Sequence, residues 1–113
     1  MVVAVEKNVS LSNMLQALAD KVYCEDFLEC EDLGLFDKII MNPPFENGAD
    51  IKHIKHALKF LAVGGTLVAL CANGPRQHRD LKGVLADYWE DLPAGSFKTS
   101  GTMVNSALLV IEN

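Results

Sequence analysis

The sequence predicts an α/β fold: a mainly parallel sheet with helices on both faces. Three observations carry this expectation. Short apolar runs alternate with stretches of helical periodicity, and several of those runs, "TLVALCA" above all, are apolar throughout, as strands covered on both sides must be. No linker, low-complexity tract or repeat of solenoid period interrupts the 113 residues. The chain therefore reads as one domain over residues 1–113, long enough to bury somewhat under about 70% of its unfolded surface.

The elements follow in order. "MVVAV" opens as a strand, and Val9, Leu11, Met14, Leu15 and Leu18 then fall near the i, i+3, i+4, i+7 spacing of a helix buried on one face, with Ser10 or Ser12 as its cap. "KVYC" predicts a second strand and "FDKIIM" a third. Ile51, Ile54, Leu58 and Leu61 stripe the next helix, with Asp50 near its start and "VGG" as its glycine stop. "TLVALCA" is the following strand. Leu81, Val84, Leu85 and Tyr88 suggest another helix, and "TMVNSALLVIE" a long closing strand.

Composition excludes several classes. No run approaches the roughly 18 apolar residues of a membrane span and no basic-then-apolar leader is present, so a cytoplasmic protein is expected. Cys24, Cys30 and Cys71 lack the paired spacing of a zinc site and are expected as buried free thiols. His53 and His56, with Asp50, lie at a spacing that could hold a metal, but lack a further ligand; the expectation is solvated histidines and no metal. Ten Lys and Arg against fifteen Asp and Glu give a net charge of −5, which argues against broad adhesion to nucleic acid. A local patch remains in Arg76, His78, Arg79 and Lys82, which could touch phosphates or simply face solvent.

In open α/β sheets, ligands lie beyond the C-terminal ends of the strands. There the sequence places Glu6 after the first strand, Asp26 and Phe27 after the second, Asn42 after the third and Asn73 after "LVALCA". A carboxylate at Glu6 is placed to accept from ribose hydroxyls, Asp26 from an adenine amine, and Phe27 offers a ring face.

The segment "FDKIIMNPPF" is the most specific. Adjacent prolines arise by chance about once in 400 sites. Pro43 and Pro44 fix φ near −65° and lack N–H groups, so the turn is stiff and its carbonyls are available to a cleft. The Asn42 side-chain carbonyl and the Pro43 backbone carbonyl can together hold the two hydrogens of a planar amine. Accepting them as that nitrogen becomes tetrahedral stabilises developing positive charge, and Phe45 can stack on the ring that bears it.

At these residues the chain resembles class I S-adenosylmethionine-dependent methyltransferases of the amino-methylating group, whose signature is Asn/Asp/Ser-Pro-Pro-Phe/Tyr/Trp. "VVAVE" looks like the strand with the ribose-binding acid, "CEDF" like the adenine-contacting loop, and "PAGSFKTSGTMVNSALLVIE" like the ending of phage- and plasmid-borne methylases. The resemblance implies DNA adenine N6 methylation, with glutamine in a protein and guanine N2 in ribosomal RNA as related targets. It implies catalytic roles for Asn42, Pro43, Pro44 and Phe45, and S-adenosylmethionine held by Glu6, Asp26, Phe27 and Asn42.

The resemblance also implies a strand, a Gly-x-Gly loop and a helix ahead of "VVAVE", which are missing from residues 1–113. The fold the resemblance implies is thus Rossmann-like, a mainly parallel sheet with an antiparallel C-terminal strand, truncated at the N-terminus, with cofactor binding weakened or lost. Either the chain's own first strand, a second copy or a complementing N-terminal chain is expected beside "DKIIM". The alternatives are a non-catalytic remnant that serves as a binding or interaction module, or half of a split methyltransferase.

Overall fold

The computed structural model describes residues 2–93, 97–99 and 102–113, with backbone alone for 97–99 and 102–104. The chain divides into two compact units, Met1–Leu33 and Gly34–Asn113.

The first unit is a β-α-β turn of chain. Strands β1 (Val3–Val5) and β2 (Lys21–Tyr23) pair in parallel, Val5 opposite Tyr23, and helix α1 (Val9–Leu15) connects them. Asn8 caps α1, its side chain accepting from the Leu11 N–H at 3.0 Å, where Ser10 or Ser12 was expected. The apolar stripe of α1 also departs from expectation. Met14 is 69% and Leu18 77% exposed, Val9 and Leu11 are exposed too, and the buried residue is Ser12. A parallel pair of three-residue strands is too narrow to cover a helix face, so within this unit the stripe has no layer to pack on.

The second unit holds a mixed four-stranded sheet in the spatial order β3 (Phe36–Met41), β4 (Leu61–Ala72), β8 (Ser106–Glu112), β5 (Tyr88–Asp91). Strand β3 runs parallel to β4, and β8 is antiparallel to β4, as the resemblance implies for the last strand. Helix α2 (Ala49–Ala57) crosses between β3 and β4. One face of the sheet is the core: Leu67, Ala69 and Cys71 of β4, with Leu109 and Ile111 of β8, are buried, as are Ile51, Ile54 and Ala57 of α2. On the opposite face a cross-strand row runs Ile40, Val68, Val110, Tyr88 through all four strands. Its outer member Ile40 is 87% exposed. Among the described residues β3 has a hydrogen-bonded neighbour on one side only, and β1 takes β2 as its partner, not β3.

Three local expectations are corrected. Gly64 and Gly65 do not stop a helix: α2 ends at Ala57, tightens through one 3₁₀ turn (Leu58–Phe60), and the chain enters β4 at Leu61. The glycines form a bulge in which Leu61 and Thr66 oppose Phe36 and Lys38. Gly64 has φ +81°, and a Cβ on Gly65 would lie 2.9 Å from the carbonyl oxygens of Ala62 and Asp37. Asn113 closes the bulge, its Nδ2 donating to the Leu61 and Ala62 carbonyls at 3.0 and 3.2 Å.

The helix expected through Tyr88 is short: α3 (Pro75–Gln77) continues as a π turn (His78–Lys82), and Tyr88 opens a separate edge strand, β5 (Tyr88–Asp91), antiparallel to β8. Only Leu81 of the expected stripe is fully buried, and Val84 is exposed. The closing strand is divided at Asn105 into β7 (Thr102–Val104) and β8, with β6 (Phe97–Thr99) pairing antiparallel to β7. Residues 100 and 101, between β6 and β7 in the expected phage-type ending "PAGSFKTSGTMVNSALLVIE", lie outside the described residues.

Two side-chain expectations change as well. Cys30 and Cys71 are buried free thiols, whereas Cys24 is exposed. His56 is buried and meets Phe60 edge-on at 5.3 Å between ring centroids, so it is not a solvated histidine.

Candidate functional site

In the first unit, the parallel pairing of β1 and β2 brings their C-terminal ends side by side. The Glu6 N–H donates to the Tyr23 carbonyl at 3.0 Å, extending the ladder by one step and fixing where the Glu6 side chain departs. Glu6 is half-buried, and its Oε2 accepts from the Asn8 N–H at 2.9 Å. Asp26 caps the 3₁₀ turn Phe27–Glu29, its Oδ1 accepting from the Leu28 N–H at 3.0 Å. Each carboxylate thus spends one oxygen on its own loop. The other oxygen, Oε1 of Glu6 and Oδ2 of Asp26, accepts no hydrogen bond among the described residues. Phe27 is half-buried beside Asp26.

The same loop holds Cys30, whose thiol donates to Glu25 Oε1 at 3.0 Å. Burial, and then this bond to a carboxylate, push the thiol up to about 12. Cys30 is therefore a neutral packing residue and not a nucleophile.

In the second unit, Asn42 follows β3 directly. It is exposed, and its side chain has no hydrogen-bond partner among the described residues; Pro43 is buried, Pro44 exposed and Phe45 half-buried. The alternation follows from the stiff proline pair: one ring anchors the turn and the next residue faces out. After Phe45 the chain turns through Asn47 (φ 52°) and Gly48 (φ 73°) into α2. Two successive left-handed residues suit Asn and Gly, the side chains that tolerate this region best.

What fixes this loop is Asp50. Its carboxylate is fully buried and accepts from the Ile51 N–H at 2.9 Å, from the Ala72 N–H at 2.8 Å, and from Gln77 Nε2 at 3.1 and 3.2 Å. One side chain therefore ties the start of α2 to the end of β4 and to α3. The sequence shows Asp50 as an acid near a helix start and at metal-ligand spacing from His53 and His56, and nothing in it marks Gln77. The same network presents Arg76: a Cβ on Gly48 would lie 3.1 Å from Arg76 Nη1, so the guanidinium passes over the turn that follows Phe45.

Asn73, expected to face a ligand, is engaged within the protein. Its Nδ2 donates to Asp91 Oδ1 at 3.0 Å and its Oδ1 meets His78 Nε2. Trp89 Nε1 also donates to Asp91 Oδ1, at 2.9 Å, and these two donors hold the Asp91 carboxyl below the usual carboxylate range. Among the described residues no group of three His, Cys, Asp or Glu side chains could hold a metal ion, and no helix is long and apolar enough to cross a membrane.

Solved structures share this fold. The N-methyltransferase NodS from Bradyrhizobium japonicum, in complex with S-adenosyl-L-homocysteine, is 15% identical with a TM-score of 0.67, the match covering 98% of this chain and 65% of that one. A candidate RNA methyltransferase from Pyrococcus horikoshii is 16% identical with a TM-score of 0.71, over 98% of this chain and 62% of that one. An rRNA methylase from Streptococcus thermophilus is 13% identical with a TM-score of 0.59, over 98% and 72%. The chain thus spans less than two thirds of the first two proteins, 65% and 62% of their lengths. Among curated proteins, none matches the sequence. The model of the methyltransferase small domain matches residues 1–98, through β1, β2, the Asn42–Phe45 loop and β4. The chain belongs to the methyltransferase small domain family.

Proposed function

We infer that this chain carries the amine-binding loop and the adenosine-binding carboxylates of an S-adenosylmethionine-dependent N-methyltransferase, with adenine N6 in DNA as its target. The observation that carries the reading is the Asn42–Phe45 turn: an exposed Asn42 with an uncommitted side chain, a buried Pro43 that holds the backbone, and a half-buried aromatic ring at Phe45. Asn42 Oδ1 and the Pro43 carbonyl accept the two amine hydrogens, and Phe45 supports the ring that bears them.

The first unit fits the adenosine part of the cofactor, because Glu6 and Asp26 each keep one carboxylate oxygen uncommitted at the ends of adjacent parallel strands. Glu6 accepts from the ribose hydroxyls and Asp26 from the adenine amine, beside Phe27. Bound S-adenosylmethionine supplies an electrophilic methyl group. Its methionine end calls for a glycine-rich turn that residues 1–113 do not contain. The one-sided pairing of β3 and the exposure of Ile40 support its delivery by a complementing segment alongside β3; a second copy lacks the turn too and could only pair with that edge.

The test is calorimetric titration of the chain with S-adenosylmethionine, followed by transfer of labelled methyl groups to an adenine-containing DNA duplex. Binding that Glu6→Ala removes, and transfer that Asn42→Ala abolishes without altering binding, are the expected results. No binding at about 1 mM cofactor, where the affinity would be worth only about 4 kcal/mol, overturns the reading for this chain.

A further inference from the structure

We propose that Arg76 is a phosphate-contacting residue for the nucleic acid whose base enters the Asn42–Phe45 turn. The partner's identity rests on the function proposed above; the cation's placement rests on geometry alone.

Four basic side chains lie between residues 76 and 82, and three of them are occupied. Arg79 Nε is bonded to Asp80 Oδ1 at 2.9 Å, His78 Nε2 meets Asn73 Oδ1, and Lys82 Nζ sits 5.8 Å from the centre of the Trp89 ring. Arg76 is exposed and forms no ion pair among the described residues. Its position is nevertheless set. The next residue, Gln77, is buried and donates to both carboxylate oxygens of Asp50, while Pro75 fixes φ at the start of α3. The guanidinium then crosses Gly48, where a Cβ would stand 3.1 Å from Nη1 and 3.8 Å from Cδ. Glycine at this position leaves the arginine its path.

A planar guanidinium without an internal partner, held at the rim of a turn that accepts a planar amine, has the chemistry to grip a phosphate through two N–H groups. A nucleotide turned out of its strand brings its own phosphates past that rim. In a chain of net charge −5, a single well-placed cation matters more than it would on a basic surface. The like-charged remainder would repel a polyanion, though screening confines that repulsion to about 10 Å in ordinary salt.

The experiment measures fluorescence anisotropy of the full chain with a labelled adenine-containing oligonucleotide, as duplex DNA, single-stranded DNA and RNA, over a series of salt concentrations. Arg76→Ala is expected to weaken binding about tenfold at low salt and to lower the slope of log affinity against log salt by about 0.9 for the duplex or about 0.7 for single strands. Arg76→Lys should recover part of the loss, and Arg79→Ala should change affinity less than about twofold, because that residue is already paired. The three probes show which polymer is preferred. Arg76→Ala binding like wild type, wild type binding none of the probes, or an equal loss from Arg79→Ala each overturns the proposal. Cofactor titration and methyl transfer, measured separately on the wild-type chain, are the separating readouts, since oligonucleotide anisotropy is recorded without cofactor. Missing methyl transfer alongside an Arg76-dependent affinity would therefore count against the catalytic reading and not against the contact.

Discussion

Asp50 and Gln77 meet across 27 residues of sequence, and their hydrogen bonds at 3.1 and 3.2 Å join the helix after the Asn42–Phe45 turn to the helix after β4. A fully buried carboxylate with this many donors holds its neighbours in place, and its removal strands them.

Asp50→Ala should therefore destabilise the chain by about 3 kcal/mol, since the Ala72 N–H and the Gln77 amide lose their acceptor inside the protein. Gln77→Ala, which removes a donor and leaves the two backbone donors in place, should cost less, about 1–2 kcal/mol. Urea unfolding followed by circular dichroism checks both the values and their order.

The adjacent glycines of β4 should behave differently. Gly64→Ala places a side chain on a residue at φ +81° with open space around it, a cost of about 1 kcal/mol. Gly65→Ala puts a Cβ 2.9 Å from two backbone carbonyls, so the bulge itself must shift, at about 2–3 kcal/mol. Equal unfolding midpoints for the two variants would contradict the close approach.

The thiols should separate by burial. At about pH 8, an aromatic disulfide reagent should modify one cysteine rapidly, the exposed Cys24, and reach Cys30 and Cys71 only in denaturant. Burial pushes both buried thiols up to about 12, so the fold favours their neutral form. Their contribution to stability is complete below the unfolded thiol value of about 8.5 and is lost as pH rises from there towards 12. Unfolding midpoints should fall with alkali across that window, and less steeply in Cys71→Ser once its own lower baseline is taken into account.

Asp26 serves two purposes that substitution can divide. Asp26→Ala removes the cap on Leu28 N–H, at about 1 kcal/mol, together with the carboxylate. Asp26→Asn keeps a capping oxygen and loses only the charge. If Asp26 binds the cofactor's adenine, both variants should weaken titrated binding about tenfold while only Asp26→Ala shifts the melting temperature.

The sequence was most readable where residue chemistry acts locally. The strands at Val3–Val5, Lys21–Tyr23 and Phe36–Met41, the acids Glu6 and Asp26 after the first two and Asn42 after the third, follow from period and position. The stiffness of Pro43 and Pro44 follows from their rings. What long-range packing decides was not legible. The stripe Val9, Leu11, Met14, Leu18 has the spacing of a buried face yet lies exposed, because periodicity reports which side could be covered and not whether a layer is there to cover it. Gly64 and Gly65 follow a helix by one short turn, so a helix stop and a strand bulge read alike until the partner strand is known. Asn73 and Asp50 could each have faced a ligand; their partners, Asp91 and Gln77, lie 18 and 27 residues away.

The distance of Asp50 from its donors along the chain also orders the birth of the loop. Ala72 and Gln77 are made 22 and 27 residues after Asp50, so a nascent chain that has emerged only through α2 has the Asn42–Phe45 residues without their anchors. Contacts of such sequence separation form late, after the intervening segment has closed. The turn thus matures only when β4 has been inserted into the sheet and α3 has left the ribosome, and a stalled or clipped product ending before Gln77 would display the motif in an unset shape.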